Sequence, residues 1–503
     1  MPSSSPAPSP VAPPPTDQEF PYFRATLALL IGLTLFRFWY CTTLGLVGDE
    51  AYYWVCSKHL DLSFFDKGPG AAATIAAGTH LFGDTVFGIR FFAVLLSLGT
   101  GLGLYALAKT LFNERVAWLT VLIASAVPLF AVGSILMTID PLSVFFWTMA
   151  SLCFWHAKDT HRLGAWILVG ALIGLGGLAK YTNLVELLCF ALFCLCCAPY
   201  RRQLLRPPFY AMLGAALVCM APIWIWNARH HWVTVVHLVH RGAMDGSWHF
   251  SPGELASFLA IQAGVISPLL FLGIMGALFG PKLDPSLRLQ VRFLLCLFLP
   301  LFLFYLALSA NKAGQANWTA PSYVAGIILF AAVWDNGGRE RRWVRWFGLA
   351  ALGVAILETV LLHNTRWLHL PPGKDPMDRS RGYDALAQAA SGIAAKEGTQ
   401  VYIANKYMLA SLLCFYLPGR PETYMPPTDT VTNQYSIWPG YRALPPGSSA
   451  LFVSDKERIP TVLRMDFVEV RHVATIRHAD GNRTLKEHYL YLCRELRNAA
   501  PSP

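Results

Sequence analysis

Four acidic residues and one lysine stand in short segments of a chain that otherwise carries few charges. Asp49 and Glu50 are adjacent, Asp66 directly precedes Lys67, and Asp140 lies in a Thr-Ile-Asp-Pro turn. Adjacent carboxylates can supply a general base for an acceptor hydroxyl and a second group that orients it. A carboxylate beside an ammonium fits a phosphate site, where its oxygens could also bind a divalent cation. These segments predict transfer chemistry on a phosphorylated substrate.

Each of these segments also has a purely structural interpretation. Asp49 and Glu50 would be favoured in the first turn of a helix by the helix dipole. Asp66 and Lys67 could form an exposed ion pair that contributes little to stability. Asp140 fits the capping position of a helix whose first residue is proline, and capping is compatible with a role in chemistry.

The elements that must position these residues are membrane helices. Hydrophobic residues make up 54% of the 503 residues, charged residues only 14%, and the mean hydropathy is +0.42. No ordinary soluble domain of this length has that composition. At roughly 20 apolar residues per crossing, about eleven to thirteen transmembrane helices are expected. The predicted spans lie near 22–47, 86–107, 115–133, 140–156, 164–180, 183–199, 209–227, 255–280, 291–310, 319–334 and 343–362.

The fold class predicted is therefore a polytopic α-helical membrane protein with a small C-terminal α/β domain. Residues 1–20, rich in Ser, Pro and Ala, are predicted to be a disordered tail, and the first span is too long for a cleaved signal peptide. The membrane domain is expected over 21–363, with its main outer loop at 47–85. The outer domain is expected over 364–503, with helices at 385–397 and 408–417 and strands at 400–404, 450–453 and 468–476.

The distribution of Lys and Arg predicts the orientation. Basic residues recur in every second loop, which places the N-terminus in the cytoplasm and the C-terminal domain outside. This spread also explains the net charge of +10 without nucleic-acid binding. A few cations fall in outer loops, where an anionic ligand such as a phosphate would explain them: Lys58, Lys67, Lys180, Arg229, Arg241 and Lys312.

The later outer loops add further candidates, each with a structural alternative. His237 and Arg241 are spaced to share one helix face, where they could bind a phosphate or a metal, or lie in an interfacial amphipathic helix. Asn317 and Trp318 could bind sugar hydroxyls and ring faces, although Trp318 also fits an aromatic belt. Lys180 could neutralise Glu186 or line a cavity.

Most of the eleven cysteines fall in predicted spans, as small apolar residues. Cys414 and Cys493 both belong to the outer domain and could pair in an oxidising compartment.

Several motifs, in this order, resemble those of the bacterial GT-C glycosyltransferases, which include the family 39 protein mannosyltransferase-like enzymes and the aminoarabinose transferase of lipid A. The resemblance covers most of 45–335 and continues at 407–418 and 433–441. The motifs are Asp49-Glu50-Ala-Tyr-Tyr-Trp, Phe65-Asp66-Lys67-Gly-Pro, Leu81-Phe-Gly-Asp84 with Gly88-Ile-Arg90, Met137-Thr-Ile-Asp140-Pro141, Leu178-Ala-Lys180-Tyr181-Thr182 and Ala316-Asn317-Trp318-Thr-Ala-Pro321.

The resemblance implies an inner-membrane transferase that moves a sugar from a polyprenyl-phosphate donor to a lipid or protein acceptor on the periplasmic side, with inversion. Asp49 would be the general base or an acceptor-binding carboxylate. The other implied roles are catalytic carboxylates at Glu50 and Asp140; donor-phosphate binding by Lys67, Arg241 and Lys312; substrate binding by Tyr53, Lys180, Tyr181, Asn317 and Trp318; and ligation of a divalent metal (Mg, Mn or Zn) by Asp66 and His237.

The chain departs from the family pattern at two positions. Gly68-Pro69-Gly70 replaces the usual Pro-Pro, and Thr319 stands where proline is frequent. The glycines predict a loop whose backbone can approach a ligand closely. Neither change removes a charged group.

Two other functions are compatible with the composition. A protein O-mannosyltransferase-like enzyme would use the same donor chemistry. A flippase would move a lipid-linked sugar without chemistry, although charges near the middle of the membrane would suit it better than charges gathered at one face. A non-catalytic assembly subunit would leave the acidic motifs without a role.

Overall fold

The computed structural model describes residues 20–241, 249–279, 283–371, 373–428, 430–480 and 483–497. The predicted tail at 1–20 lies outside these residues except for Phe20. Helices dominate the chain up to His363: α1 Tyr22–Tyr40, α2 Gly48–Lys58, α3 Gly70–Phe82, α4 Val86–Leu111, α5 Glu114–Ala126, α6 Pro128–Gly133, α7 Ile139–Ala157, α8 Leu163–Ala179, α9 Val185–Cys196, α10 Pro207–Cys219, α11 Ala221–Arg229, α12 Val233–Arg241, α13 Pro252–Ile266, α14 Pro268–Phe279, α15 Arg288–Ser309, α16 Ala320–Glu340 and α17 Arg342–His363.

Helices occupy all of the predicted spans, but several are broken. Within the described residues, four helices are long and apolar enough to cross a membrane, and up to six spans result if each of two bent pairs counts as one. The pair α10 and α11 bends by 51°, and the pair α13 and α14 by 108°. Proline begins α6 and α14, where its missing N–H interrupts the helical hydrogen bonds. The first span ends at Tyr40, earlier than predicted, because the chain turns towards α2.

Aromatic packing joins the membrane helices. Phe154 of α7 stacks on Phe190 of α9 with ring centroids 3.8 Å apart, and both are fully buried. At one end of the bundle, Arg115 and Arg339 both bind Asp335, at 2.9 and 3.0 Å. These basic residues come from two loops that the charge pattern assigns to the same membrane face.

The predicted outer loop at 47–85 is largely helical, since it contains α2 and α3. A glycine sets how this segment meets the membrane helices: a Cβ at Gly68 would lie 2.1 Å from the carbonyl oxygen of Leu178 in α8. The absence of a Cβ at Gly68 therefore lets the loop pack against the end of α8. The predicted approach of this loop to a ligand stays a prediction.

The C-terminal region contains the predicted α/β unit. Its helices are α18 Tyr383–Glu397, α19 Tyr407–Tyr416 and α20 Thr461–Asp466, and its strands are β1 Val401–Ala404, β2 Thr423–Tyr424, β3 Ala450–Ser454, β4 Phe467–Asp480 and β5 Arg483–Leu496. The sheet has the order β2-β1-β3-β5-β4, with parallel β2-β1-β3 and antiparallel β3-β5-β4. Cys414 and Cys493 are both free and belong to different buried clusters, so the suggested disulfide does not form.

Candidate functional site

The two adjacent carboxylates at the start of α2 have different environments. Glu50 is fully buried, and Arg90 of α4 donates to both of its oxygens, from Nε to Oε1 at 2.8 Å and from Nη2 to Oε2 at 2.5 Å. The backbone N–H groups of Val47 and Met137 complete its hydrogen bonds. This geometry favours a structural role for Glu50 over the predicted catalytic one, because both of its oxygens are occupied and its side chain is fully buried.

The same arginine connects the end of α1 to α2. Arg90 also donates to the carbonyl oxygens of Cys41, Leu44 and Gly45, at 2.7 to 2.9 Å. The fork of five guanidinium donors suits this arrangement, which a lysine could not reproduce. Glu50 and Arg90 thus fix the position of the first turn of α2, and Asp49 stands in that turn.

The C-terminal region holds α2 and the segment after it from the other side. The hydroxyl of Tyr416 accepts a hydrogen bond from the backbone N–H of Leu46 at 2.8 Å. Gln434 accepts from the N–H of Phe65 at 2.8 Å, and its own N–H donates to the hydroxyl of Tyr52 at 3.0 Å. These contacts explain why the family resemblance continues into 407–418 and 433–441.

Asp49 is the acidic residue of this region that remains available. Its side chain lines a cavity of about 870 Å³ and has no hydrogen bond or ion pair with any residue that the structure describes. Burial raises the pKa of its carboxyl, an effect opposed by the positive charges of Lys67 and Arg379 and reinforced by Asp66 and Asp140. A half-buried carboxylate with a raised pKa and no fixed partner is suited to accept a proton.

Asp140 lines the same cavity from the N-terminus of α7. Lys180 donates to its Oδ1 at 2.8 Å, and the amide of Asn317 donates to its Oδ2 at 2.6 Å. Lys180 also donates to the carbonyl oxygen of Asn317 at 3.0 Å. Three separate outer loops thus meet at one carboxylate. The suggested pairing of Lys180 with Glu186 is wrong, since Glu186 is buried beside Ser151 instead, at 2.8 Å.

Asp66 and Lys67 form the next predicted pair, and the charges of both act on Asp49. Their side chains are about one-fifth exposed and 3.6 Å apart, and the hydroxyl of Tyr52 is 3.4 Å from Asp66. At 3.6 Å the ion pair is loose, so the ammonium of Lys67 keeps donors for an anionic ligand. Its positive charge opposes the rise in the pKa of the Asp49 carboxyl, although Lys67 is not among the residues that line the cavity.

The cavity has an apolar part and a charged mouth. The apolar part runs between membrane helices and is lined by residues of α1, α4, α5, α6, α7 and α13, among them Leu30, Leu104, Val121, Ala124, Leu129, Val144 and Ile261. The mouth lies under the C-terminal region, where Arg379, Lys406, Asp455, Lys486 and His488 line it. Such a shape fits an amphiphile with a long apolar chain and an anionic polar group.

The remaining predicted residues are more scattered. Lys312 is exposed and, like Lys67, is not among the residues that line the cavity, so its assignment to a donor-phosphate site stays a prediction. Trp318 packs on Tyr305, with ring centroids 5.2 Å apart, and donates to Gln315 at 3.0 Å, next to the cavity wall. Tyr53 is buried close to Asp49 and Asp66, whose charges act on it.

Tyr181, His237 and Arg241 complete the predicted set. The Tyr181 hydroxyl is buried, and the charge of Asp66 acts on it. His237 packs its ring against Phe65, with centroids 4.7 Å apart. Arg241 is the last residue of α12, and its side chain lies outside the part of the chain that the structure describes.

No group of three His, Cys, Asp or Glu side chains in the described residues is arranged to hold a metal. Asp66 is engaged with Tyr52 and Lys67, and His237 with Phe65. The ligand set proposed from the sequence is therefore incomplete within these residues, and the divalent metal stays a prediction.

The sequence analysis gives no role to three cationic residues of the site. Arg90, which stands in the Gly88-Ile-Arg90 motif, and Arg37 fall within predicted spans, where an ionisable residue indicates a structural or functional partner. Arg379 lies in a segment with no regular pattern, and nothing in the sequence distinguishes it from the arginines around it.

Comparisons with known proteins agree with this geometry. The family described as dolichyl-phosphate-mannose-protein mannosyltransferase matches residues 66–226. The lipid A galacturonosyltransferase RgtD of Rhizobium johnstonii is 28% identical over 400 residues, which cover 77% of this chain and 82% of the relative. The undecaprenyl phosphate-alpha-4-amino-4-deoxy-L-arabinose arabinosyl transferase of Pseudomonas aeruginosa is 28% identical over 332 residues, 61% of this chain and 57% of the relative.

The fold extends the likeness to the whole chain. The crystal structure of ArnT from Cupriavidus metallidurans bound to undecaprenyl phosphate superimposes with a TM-score of 0.64 at 16% identity, covering 96% of this chain and 99% of that one. The predicted GT-C fold, with its small C-terminal sheet, is thereby confirmed, as is the resemblance to this group of transferases. The chain is a multi-pass protein of the inner membrane.

Proposed function

We propose that this chain is a glycosyltransferase that takes a sugar from a polyprenyl-phosphate donor and passes it to a lipid acceptor of the cell envelope. One observation carries the proposal: the carboxylate of Asp49, unpaired among the described residues, faces a cavity of about 870 Å³ whose inner part is apolar and whose mouth carries charges of both signs. The relatives support it, because one by name modifies lipid A and others by name use an undecaprenyl-phosphate sugar.

In the proposed reaction, Asp49 removes the proton of the acceptor hydroxyl while the oxygen of that hydroxyl attacks the anomeric carbon of the donor sugar. The bond from that carbon to the phosphate oxygen breaks, and the polyprenyl phosphate leaves with the bonding electron pair. A single displacement inverts the anomeric configuration. Lys67, whose charge acts on Asp49, stabilises the charge on the leaving phosphate, and positioned cations of this kind contribute several kcal/mol in a water-poor site.

Asp140 is proposed to position substrate rather than to accept a proton. Its two oxygens are held by Lys180 and Asn317, at 2.8 and 2.6 Å, which leaves lone pairs that can accept from sugar hydroxyls. Because both partners come from different loops, a bound sugar here would contact a rigid wall.

A divalent cation is part of the proposal only as an ion that Asp66 and His237 would ligate. Two ligands do not hold such an ion firmly, and no step of the reaction above is routed through it. Lys67 is placed to provide the charge stabilisation that a cation would otherwise supply.

The proposed orientation puts the N-terminus in the cytoplasm and the C-terminal domain in the periplasm. It is supported by the meeting of Asp49, Asp140, Lys180 and Asn317 at one site. The basic residues that the charge pattern assigns to the cytoplasm gather elsewhere, as in the contacts of Arg115 and Arg339 with Asp335.

The experiment that tests the function uses the purified chain in lipid, with labelled polyprenyl-phosphate sugars and phosphorylated glycolipid acceptors. Release of free polyprenyl phosphate together with labelled acceptor, abolished in Asp49→Asn, is the expected result. Labelled lipid that crosses the bilayer without release would overturn the proposal in favour of a flippase. Transfer to peptides rather than to glycolipids would indicate a protein O-glycosyltransferase.

A further inference from the structure

The cavity contains a buried arginine that the proposed reaction does not use. Arg37 lies near the outer end of α1, is 6% exposed, and lines the cavity together with Ser97 of α4. Its Nη1 donates to the hydroxyl oxygen of Ser97 at 2.9 Å, and this is its only side-chain partner among the described residues. It has no carboxylate partner there.

An unpaired guanidinium inside a membrane helix is costly. Charged side chains in spans usually pair with one another or face a polar interior, because the bilayer cannot solvate them. Arg90, one helix away, shows the usual solution in this protein: it is paired with Glu50 and three carbonyl oxygens. Among the described residues Arg37 has no such partners, and its side chain lines the cavity.

The geometry around Arg37 suits a phosphate. A guanidinium fork offers parallel N–H donors that match phosphate oxygens. Ser97 accepts from Arg37 and donates no hydrogen bond to a described residue, so its proton is available to the same anion. The walls around the pair are apolar, among them Leu30, Gly101 and Leu104.

This place differs from the reacting centre. Arg37 of α1 is bonded to Ser97 of α4 among apolar walls, whereas Asp49 stands in the first turn of α2, where the cavity is lined by Asp140 and Asn317. A phosphate at Arg37 would therefore lie against other helices than the reacting centre does.

We propose that Arg37 and Ser97 form a second anion site that binds the phosphate of a membrane lipid whose apolar chains fill the inner part of the cavity. The proposal rests on the proposed function only in taking this cavity as the lipid-substrate site. The phosphate belongs either to the polyprenyl donor, on its way into or out of the reacting centre, or to a phosphorylated glycolipid acceptor.

The test measures lipid binding directly, without turnover. Dissociation constants are determined in detergent for polyprenyl phosphate and polyprenol, and for a phosphorylated glycolipid and its dephosphorylated form. Arg37→Gln should weaken binding of a phosphorylated lipid by roughly tenfold to a hundredfold and leave its phosphate-free counterpart unchanged. Arg37→Lys should recover part of the loss. The lipid that responds identifies the source of the phosphate.

Arg24→Gln is the matched control, since Arg24 is an exposed arginine on the same helix. It should bind all four lipids as the wild type does. Equal affinity of Arg37→Gln and wild type for both phosphorylated lipids would overturn the proposal, and so would an equal loss for phosphorylated and phosphate-free lipids. Transfer by the wild type in the functional assay would stand in either case, so the two failures are distinguishable.

A second measurement uses only the wild-type protein, in case Arg37→Gln does not fold. Phenylglyoxal modifies accessible arginines, and peptide mass spectrometry reports the modified fraction of Arg37. One phosphorylated lipid should protect Arg37 by at least about fivefold relative to its phosphate-free form, whereas Arg24 stays equally reactive. Protection by neither lipid would overturn the second anion site.

Discussion

Arg90 binds both carboxylate oxygens of Glu50 at a point where neither side chain is exposed. The carboxyl group next in sequence, that of Asp49, faces the cavity and has no partner among the described residues. The acidic pair at the start of α2 is therefore divided between two roles. Glu50 fixes the helix, and Asp49 is left for chemistry.

Replacing Glu50 tests the structural role. Glu50→Gln leaves Arg90 buried with an uncompensated charge, and breaking a buried ion pair typically costs about 3–5 kcal/mol. We expect a lower thermal unfolding midpoint in detergent and less folded protein in the membrane, with lost activity following lost fold. Wild-type stability combined with abolished transfer would contradict this assignment and return Glu50 to the catalytic group.

Replacing Asp49 should have the opposite effect. Asp49→Asn removes the general base, and we expect transfer to fall by about 10²- to 10⁴-fold while the protein stays folded.

Burial raises the pKa of the Asp49 carboxyl, which also predicts how stability depends on pH. A carboxyl with a raised folded-state pKa stabilises the protein at low pH, and that contribution is lost as pH rises through the folded-state pKa. The wild type should therefore gain stability relative to Asp49→Asn as pH is lowered.

The same pKa shift predicts the pH dependence of turnover. The base must be ionised, so the wild-type rate should fall as pH decreases through the raised pKa, at a higher pH than for an ordinary aspartate. The residual activity of Asp49→Asn should lack this acidic limb. A rate profile with the same limb in both proteins would show that another group accepts the proton.

Two lysines from the predicted donor-phosphate set provide a matched comparison. The charge of Lys67 acts on Asp49 and its side chain is about one-fifth exposed, whereas Lys312 is exposed; neither lysine is among the residues that line the cavity. Lys67→Ala should lower kcat/KM for the polyprenyl-phosphate sugar by at least about 100-fold, because an anion contact and its charge stabilisation are lost together. Lys312→Ala should remain within about twofold of wild type. Equal losses in both variants would show that position in the structure does not decide the phosphate contact.

The orientation can be tested with a native thiol. Cys196 is exposed at the end of α9, on the face assigned to the cytoplasm, and Arg458 is exposed in the C-terminal domain. In spheroplasts, a membrane-impermeant maleimide should label Arg458→Cys at once and Cys196 only after permeabilisation. The reverse order would invert the proposed topology.

Much of this fold follows from local sequence patterns. Apolar length and the spacing of basic loops located the membrane helices, and alternating apolar residues located β1, β3 and β4. The strand β5, Arg483–Leu496, was missed although it pairs with both β3 and β4. The apolar pattern of β5 is interrupted by Lys486, Glu487 and Arg494. Of its two neighbouring strands, only β4 is close to it in sequence.

The site was predictable in its residue types and only partly in its pairings. The acidic and basic motifs were found, but the partner of Glu50 lies 40 residues away in a span, and the partner of Lys180 lies in another loop. Such contacts depend on how helices pack, which no local pattern encodes. The same packing of helices brings Arg37 to the wall of the cavity. From the sequence alone, Arg37 is recognisable only as a residue of a membrane helix.

The contact between Asp140 and Lys180 gives a prediction that separates stability from catalysis. Their side chains are 13% and 7% exposed and 2.8 Å apart, so each single variant, Asp140→Asn or Lys180→Met, leaves a poorly solvated charge. The double variant removes both charges, and we expect its loss of stability to be smaller than the sum of the single losses by about 0.5–3 kcal/mol. Transfer should not recover with stability, because the double variant still lacks the carboxylate that we propose for substrate positioning.

The matched control is the more exposed pair of Lys58 and Asp84, for which a coupling below about 1 kcal/mol is expected. Additive losses at Asp140 and Lys180, or recovery of transfer in the double variant, would show that the carboxylate serves only to neutralise the lysine.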